Sequence, residues 1–145
     1  MVCCLFEVAE LNTEEIKMGY KLASLETAAK LEQKNKWHEL LEFSSQWIAE
    51  EPENFLAWQA MGDALRKLNR SAEAITVFRK GLDVAPPSTV DFMGIPMSAG
   101  PLWYRLGHAY RELGETYLSI EAFKEAARID PMVAYIWNDL GVVYI

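Results

Sequence analysis

Eight landmarks recur along this chain at a fixed offset, and a chain built this way has few folds open to it. From Trp103 the sequence carries Trp103, Leu106, Gly107, Tyr110, Ser119, Phe123, Ala126 and Pro131. Forty-five residues earlier stand Trp58, Met61, Gly62, Leu65, Ala74, Phe78, Gly81 and Pro86, matched in size and character. Thirty-four residues beyond Trp103 the opening returns as Trp137, Leu140, Gly141 and Tyr144. Trp103, Leu106 and Tyr110 fall at i, i+3 and i+7, one face of a helix, and Ala74, Phe78 and Gly81 do the same on the segment that follows. The small residues Gly62, Gly81, Gly107, Ser119 and Ala126 allow two helices to approach, and the large rings fill the space between them.

Turn chemistry separates the paired helices. Asn69 and Gly114 stand 45 residues apart, and both residue types tolerate the left-handed conformation that ends a helix. Ser71 and Thr116 follow as expected N-caps of the second helices. Pro52, Pro86 and Pro131 close each hairpin or open the next helix.

The order Trp, Leu-Gly, Tyr, small residue, Phe, small residue, Pro resembles the tetratricopeptide repeat family, whose period is 34 residues. The 45-residue step is that period with 11 residues inserted. The resemblance implies an all-α fold, an α-α superhelix that forms a right-handed solenoid of antiparallel helical hairpins. The organisation expected is an N-terminal extra helix over residues 1–20, a degenerate repeat over 21–54, a repeat over 55–88, an inserted loop over 89–99 and a repeat over 100–133. The first helix of a further, incomplete repeat occupies 134–145. In the degenerate copy Ala28 replaces Gly62, Ser24 stands at the Trp58 position, Ser44 at Phe78 and Trp47 at Gly81. A slipped register with Phe43 in the Phe site is one way to pack it.

The family lines a groove with the first helix of each repeat. By periodicity the candidate groove residues are Gln59, Asp63, Arg66 and Lys67, then Tyr104, Arg105, His108 and Arg111, then Asn138. In the first copy the matching positions are Leu25, Ala29 and Glu32. Arg66, Lys67, Arg105, Arg111 and His108 form a basic cluster in an acidic protein, suited to an acidic segment or terminal carboxylate because an arginine fork can bond both carboxylate oxygens. The opposing expectation is a solvated face with local ion pairs to Asp63, Glu112 and Asp139. Some family members grip chaperone tails with a Lys and Asn clamp. Gln59 and Asp63 stand where Lys and Asn would be wanted, which disfavours a chaperone-tail adaptor.

The bulk composition excludes several classes. Half the chain is hydrophobic (51%), enough for a core, and the formal net charge is −7. Phosphate-rich nucleic acid and anionic membranes are poor partners for such a chain. Cys3 and Cys4 are adjacent and read as reduced thiols of a cytoplasmic protein. A metal would need two more ligands, and the histidines are His38 and His108. No Lys or Arg precedes Lys17, so no signal peptide is expected. Gly94 to Gly100 lacks the Gly-Lys-Ser/Thr of a phosphate loop, and no Gly-x-Ser-x-Gly elbow exists. No catalytic residue, metal site or cofactor is assigned, and the chain is expected not to be an enzyme.

The last helix is apolar nearly all round. Tyr135, Val142, Tyr144 and Ile145 are therefore candidates for self-association, as in a homodimer. The leading functional expectation is an adaptor or scaffold that binds a partner peptide or protein segment. The alternatives are a small secretion-type or assembly chaperone masking an apolar client, and a fragment of a larger repeat array.

Overall fold

The structure is a computed structural model that describes residues 22–86, 89–92 and 95–130. Six helices run through them in order: α1 (Leu22–Gln33), α2 (Trp37–Glu50), α3 (Phe55–Lys67), α4 (Ser71–Val84), α5 (Gly100–Glu112) and α6 (Thr116–Ile129). They pair as α1/α2, α3/α4 and α5/α6, and consecutive helices form the main contacts. The expected extra helix, Cys3 and Cys4 lie outside the described residues. So do Asn138 and the self-association candidates Tyr135, Val142, Tyr144 and Ile145.

The three hairpins share one turn. Asn35, Asn69 and Gly114 have φ of 56°, 63° and 78°, the left-handed conformation their residue types suggest. In each turn the next residue's N–H reaches back five positions: Lys36 to the Leu31 carbonyl, Arg70 to Leu65, Glu115 to Tyr110. The N–H of the residue in the left-handed state donates to the carbonyl three positions back, Glu32, Arg66 or Arg111. This double bond satisfies carbonyls that the helix end leaves open.

Ser71 and Thr116 are not the caps expected of them. Each is the first helical residue, the cap positions are Arg70 and Glu115, and neither side chain caps its helix with a hydrogen bond. The six-residue turn consumes the position the serine was expected to fill. Ser71 instead donates its hydroxyl to Glu112 Oε2 at 2.6 Å. A side-chain cap does exist at α3, where Asn54 Oδ1 accepts from the Leu56 N–H at 3.0 Å.

The core follows the landmarks. Phe78 and Phe123 are fully buried, and each ring lies over the glycine of its partner helix, Gly62 or Gly107. Leu65, Leu106 and Tyr110 are buried as well. Trp58 and Trp103 are both partly buried against the same apolar cluster. Burying a phenyl ring of this kind contributes about 1.5–3 kcal/mol.

The first hairpin solves the same packing problem without a register slip. Leu40, Ser44 and Trp47 are its buried residues on α2, in the unslipped phase, and Phe43 is only partly buried. Trp47 supplies the ring volume one turn later than Phe78 does, packed with Ala28, Ala57, Ala60 and Ala64. Its indole N–H donates to Glu51 Oε2 at 2.9 Å, and Asn54 donates to the same oxygen at 2.7 Å. A buried indole needs such a partner.

The insertion holds a two-stranded antiparallel hairpin where a loop is expected: β1 (Val90–Phe92) and β2 (Ile95–Met97), with Val90 opposite Met97. Pro96 is tolerated because the ribbon has a free edge. Met97 is buried and belongs to the same apolar cluster as Phe78 and Leu102, with Val90 packed against it. Ser98 then accepts from the Gly100 N–H at 3.2 Å and starts α5. The repeat helices themselves contain no strand among the described residues.

Candidate functional site, a charged cavity beside the first helices

Asp63, Arg66 and Lys67 lie three and four residues apart on α3, so they share one face. Tyr104 and Arg105 on α5 meet that face from one side, and Glu32 near the end of α1 and Trp37 at the start of α2 meet it from the other. Together these seven residues line a cavity of about 430 Å³.

Two of its arginines are already engaged. Arg105 Nε donates to Asp63 Oδ2 at 2.7 Å, and Arg105 Nη1 donates to the Pro101 carbonyl at 3.3 Å. Arg66 Nη1 donates to Glu112 Oε1 at 3.0 Å, the carboxylate that also receives Ser71. Lys67 Nζ stands 5.8 Å from the centre of the Trp37 ring, a cation–π distance. Asp63 Oδ1 and Arg66 Nε are buried and have no hydrogen-bond partner among the described residues.

The two carboxyl groups are shifted in the same direction. Burial pushes the Asp63 carboxyl above its ordinary range, and Arg105, Arg66 and Lys67 together do not offset it. Glu32 is also raised, first by burial and then by repulsion from Asp63, with Arg105 acting against both. A buried carboxylate beside a second carboxylate favours the neutral form.

Five of the residues expected in a groove are therefore gathered here: Asp63, Arg66, Lys67, Tyr104 and Arg105. Gln59 lines a separate cleft of about 80 Å³ with Leu25, Ala29, Glu32 and others. His108 and Arg111 are directed elsewhere. The His108 ring meets Phe123 edge-on at 5.3 Å and Tyr104 at 4.5 Å, and Arg111 Nη2 lies 2.7 Å from His108 Nδ1. Both side chains pack on the Phe123 ring, Arg111 at 6.0 Å over its face, and the five cations expected together are divided between two places. The ion pairs to Asp63 and Glu112 expected of a solvated face are formed.

Trp37 is the lining residue that periodicity alone does not reveal. It stands at the first helical position, which Ser71 and Thr116 occupy in the other hairpins. An indole where the other copies keep a hydroxyl was the available signal. Among the described residues no group of three or more His, Cys, Asp or Glu side chains could hold a metal ion. No helix among them is long and apolar enough to cross a membrane.

The sequence matches the tetratricopeptide repeat over residues 56–88 and the TPR repeat over residues 107–145. The chain is a tetratricopeptide-repeat protein. No curated protein sequence matches this tetratricopeptide-repeat chain. Solved structures share its fold. The first TPR of Spaghetti (RPAP3), bound to the HSP90 peptide SRMEEVD, superposes with a TM-score of 0.73 at 15% identity, covering 85% of this chain and 91% of that one. The second TPR domain of human RPAP3, in complex with the HSP70 peptide SGPTIEEVD, gives 0.70 at 16% identity over 93% and 98%. MamA from Desulfovibrio magneticus RS-1 gives 0.66 at 20% identity over 83% and 62%. At these identities the likeness shows the architecture of the tetratricopeptide-repeat chain and leaves its binding chemistry to its own residues.

Proposed function

We propose that the chain is an interaction module that holds a segment of a partner polypeptide in the groove beside α1, α3 and α5, and that it does so in the cytoplasm without catalysing a reaction. The observation that carries this reading is the cavity of about 430 Å³, whose lining includes two aromatic rings and two buried polar atoms that nothing among the described residues satisfies. Buried polar atoms are nearly always hydrogen-bonded, so an occupant that supplies partners is the simplest account of them. Architectural relatives that hold peptides, Spaghetti and RPAP3, add support.

Both of those peptides end in acidic residues. In this chain Arg66 and Arg105 answer Glu112 and Asp63, which leaves Lys67 as the cation of the cavity without an ion pair among the described residues. An acidic partner residue would therefore sit at Lys67, on the exposed side. Nucleic acid is not proposed as a partner, given the net charge of −7.

A displayed library of random peptides panned against the chain tests the reading. Selected peptides should lose at least about tenfold in affinity on Tyr104→Ala or Trp37→Ala, the cost of about 1.4 kcal/mol expected for removing an aromatic anchor. Helix content by circular dichroism should be unchanged. Failure to select any peptide, or selected peptides indifferent to both changes, counts against the reading.

A further inference from the structure

We infer that the cavity takes a basic side chain of the partner segment, a lysine or an arginine, with Glu32 and Asp63 as its carboxylate acceptors and the Trp37 and Tyr104 rings as its walls. This rests on the docking reading above and specifies the chemistry of the occupant.

The charge pattern decides it. Arg105 and Arg66 are neutralised by Asp63 Oδ2 and Glu112. Lys67 is drawn aside over the Trp37 ring. The Glu32 carboxylate makes no ion pair or hydrogen bond among the described residues, and Asp63 keeps one buried oxygen without a donor there. Asp63 as a whole is 7% exposed, so water reaches that oxygen poorly. The chemistry left unmet is thus mainly that of an acceptor. Ammonium and guanidinium groups carry donors and no acceptors, and both lie well against aromatic rings.

The other side-chain classes fit less well. A partner carboxylate would meet two carboxylates that already repel each other. A neutral amide could serve Asp63 Oδ1 but would leave the Glu32 charge without a counterion. The raised proton affinity of both carboxyl groups points the same way, since an entering cation removes the cost that burial and mutual repulsion impose. The orphan Arg66 Nε needs an acceptor, which a main-chain carbonyl of the same partner residue can provide.

The test uses four probes: the N-acetyl amides of arginine, lysine, glutamine and glutamate. Each is titrated into the ¹⁵N-labelled chain and into Glu32→Gln, with the Trp37 indole resonance as reporter. Arginine or lysine amide should shift that resonance saturably, and Glu32→Gln should weaken the effect at least about tenfold, as expected for loss of a charge-assisted contact. Glu32 is half-buried and outside the Asp63–Arg105 pair, so this variant should keep its helix content. Asp63→Asn gives a second measurement if it folds.

Three outcomes overturn the inference: no saturable shift from either basic probe, an equal shift from the glutamate or glutamine probe, or binding of the basic probes that survives Glu32→Gln unchanged. The two proposals fail separately. Library peptides that need Tyr104 but carry no basic residue preserve the docking reading and remove this one. A library that yields no peptide removes the docking reading itself.

Discussion

A β-carbon placed on Gly107 would lie 2.7 Å from Cδ1 of Phe123, closer than real side chains come. The ring of one helix thus occupies the space a side chain on its partner would need. Gly62 and Phe78 stand in the same relation in the preceding hairpin. The first prediction follows. Gly107→Ala gains about 1 kcal/mol of helix propensity but must displace a fully buried ring. The net loss expected is about 1–3 kcal/mol, as for other overpacked cores, read as a lower urea midpoint at unchanged slope. Adding Phe123→Leu to Gly107→Ala should recover part of that loss. A single variant more stable than the parent would contradict the packing described here.

The second prediction concerns Asp63 and Arg105. The Asp63 side chain is 10% exposed, so removing its partner leaves a buried charge. Arg105→Met should cost about 3 kcal/mol, the usual order for breaking a buried pair from one side. The double change Asp63→Asn with Arg105→Met should cost clearly less than the two single changes added together. Urea denaturation of the four proteins gives the coupling, and additive losses would show that the pair carries no interaction.

The third prediction is a pH dependence. The Glu32 carboxyl binds its proton more tightly in the folded chain than a free carboxyl does, because of burial and Asp63, with Arg105 opposing. Between the unfolded and folded pKa values the folded state therefore carries more protons. Its stability contribution is present below the ordinary glutamate range and is lost as pH rises through the folded value. Glu32→Gln removes the titration, so the variant should gain stability relative to the parent as pH rises from about 4 to 7, within the range where carboxyl groups titrate. Parallel pH profiles of the two urea midpoints would refute this.

The fourth prediction concerns the insertion. Met97 is 6% exposed and packs into the cluster that joins the second and third hairpins. Met97→Ala should cost about 2–4 kcal/mol, in line with other buried methionine truncations, measured by thermal or urea unfolding. A change within error would mean that the ribbon is a surface ornament.

Much of this architecture can be read from the residues, for physical reasons. Each glycine and phenylalanine of a repeat must meet the other across one hairpin, so their spacing encodes a local contact. The asparagines and glycine of the turns announce a backbone state that few residues tolerate. The first hairpin is harder to read because volume can be relocated. Trp47 moves the ring by one turn, and the sequence does not say that Glu51 and Asn54 wait for its indole. The site is legible only in part. Which residues share a helix face follows from periodicity, so Asp63, Arg66 and Lys67 are gathered as expected. Which cation meets which carboxylate depends on the offset between hairpins, as with Arg66 and Glu112, 46 residues apart. His108 and Arg111 instead pack on Phe123 within their own hairpin, a choice that helix-face periodicity does not reveal.

Glu112 has one more consequence. Its two oxygens fasten the end of α5 to the last turn of α3 and to the opening residue of α4, so a single carboxylate straps two hairpins together at their tips. Met97 wedges the same two hairpins together through their shared core. With a strap and a wedge both in place, the slot between α3 and α5 should keep its width whether empty or filled. A visiting chain would then have to conform to the slot, and selectivity would come from shape already set before it arrives.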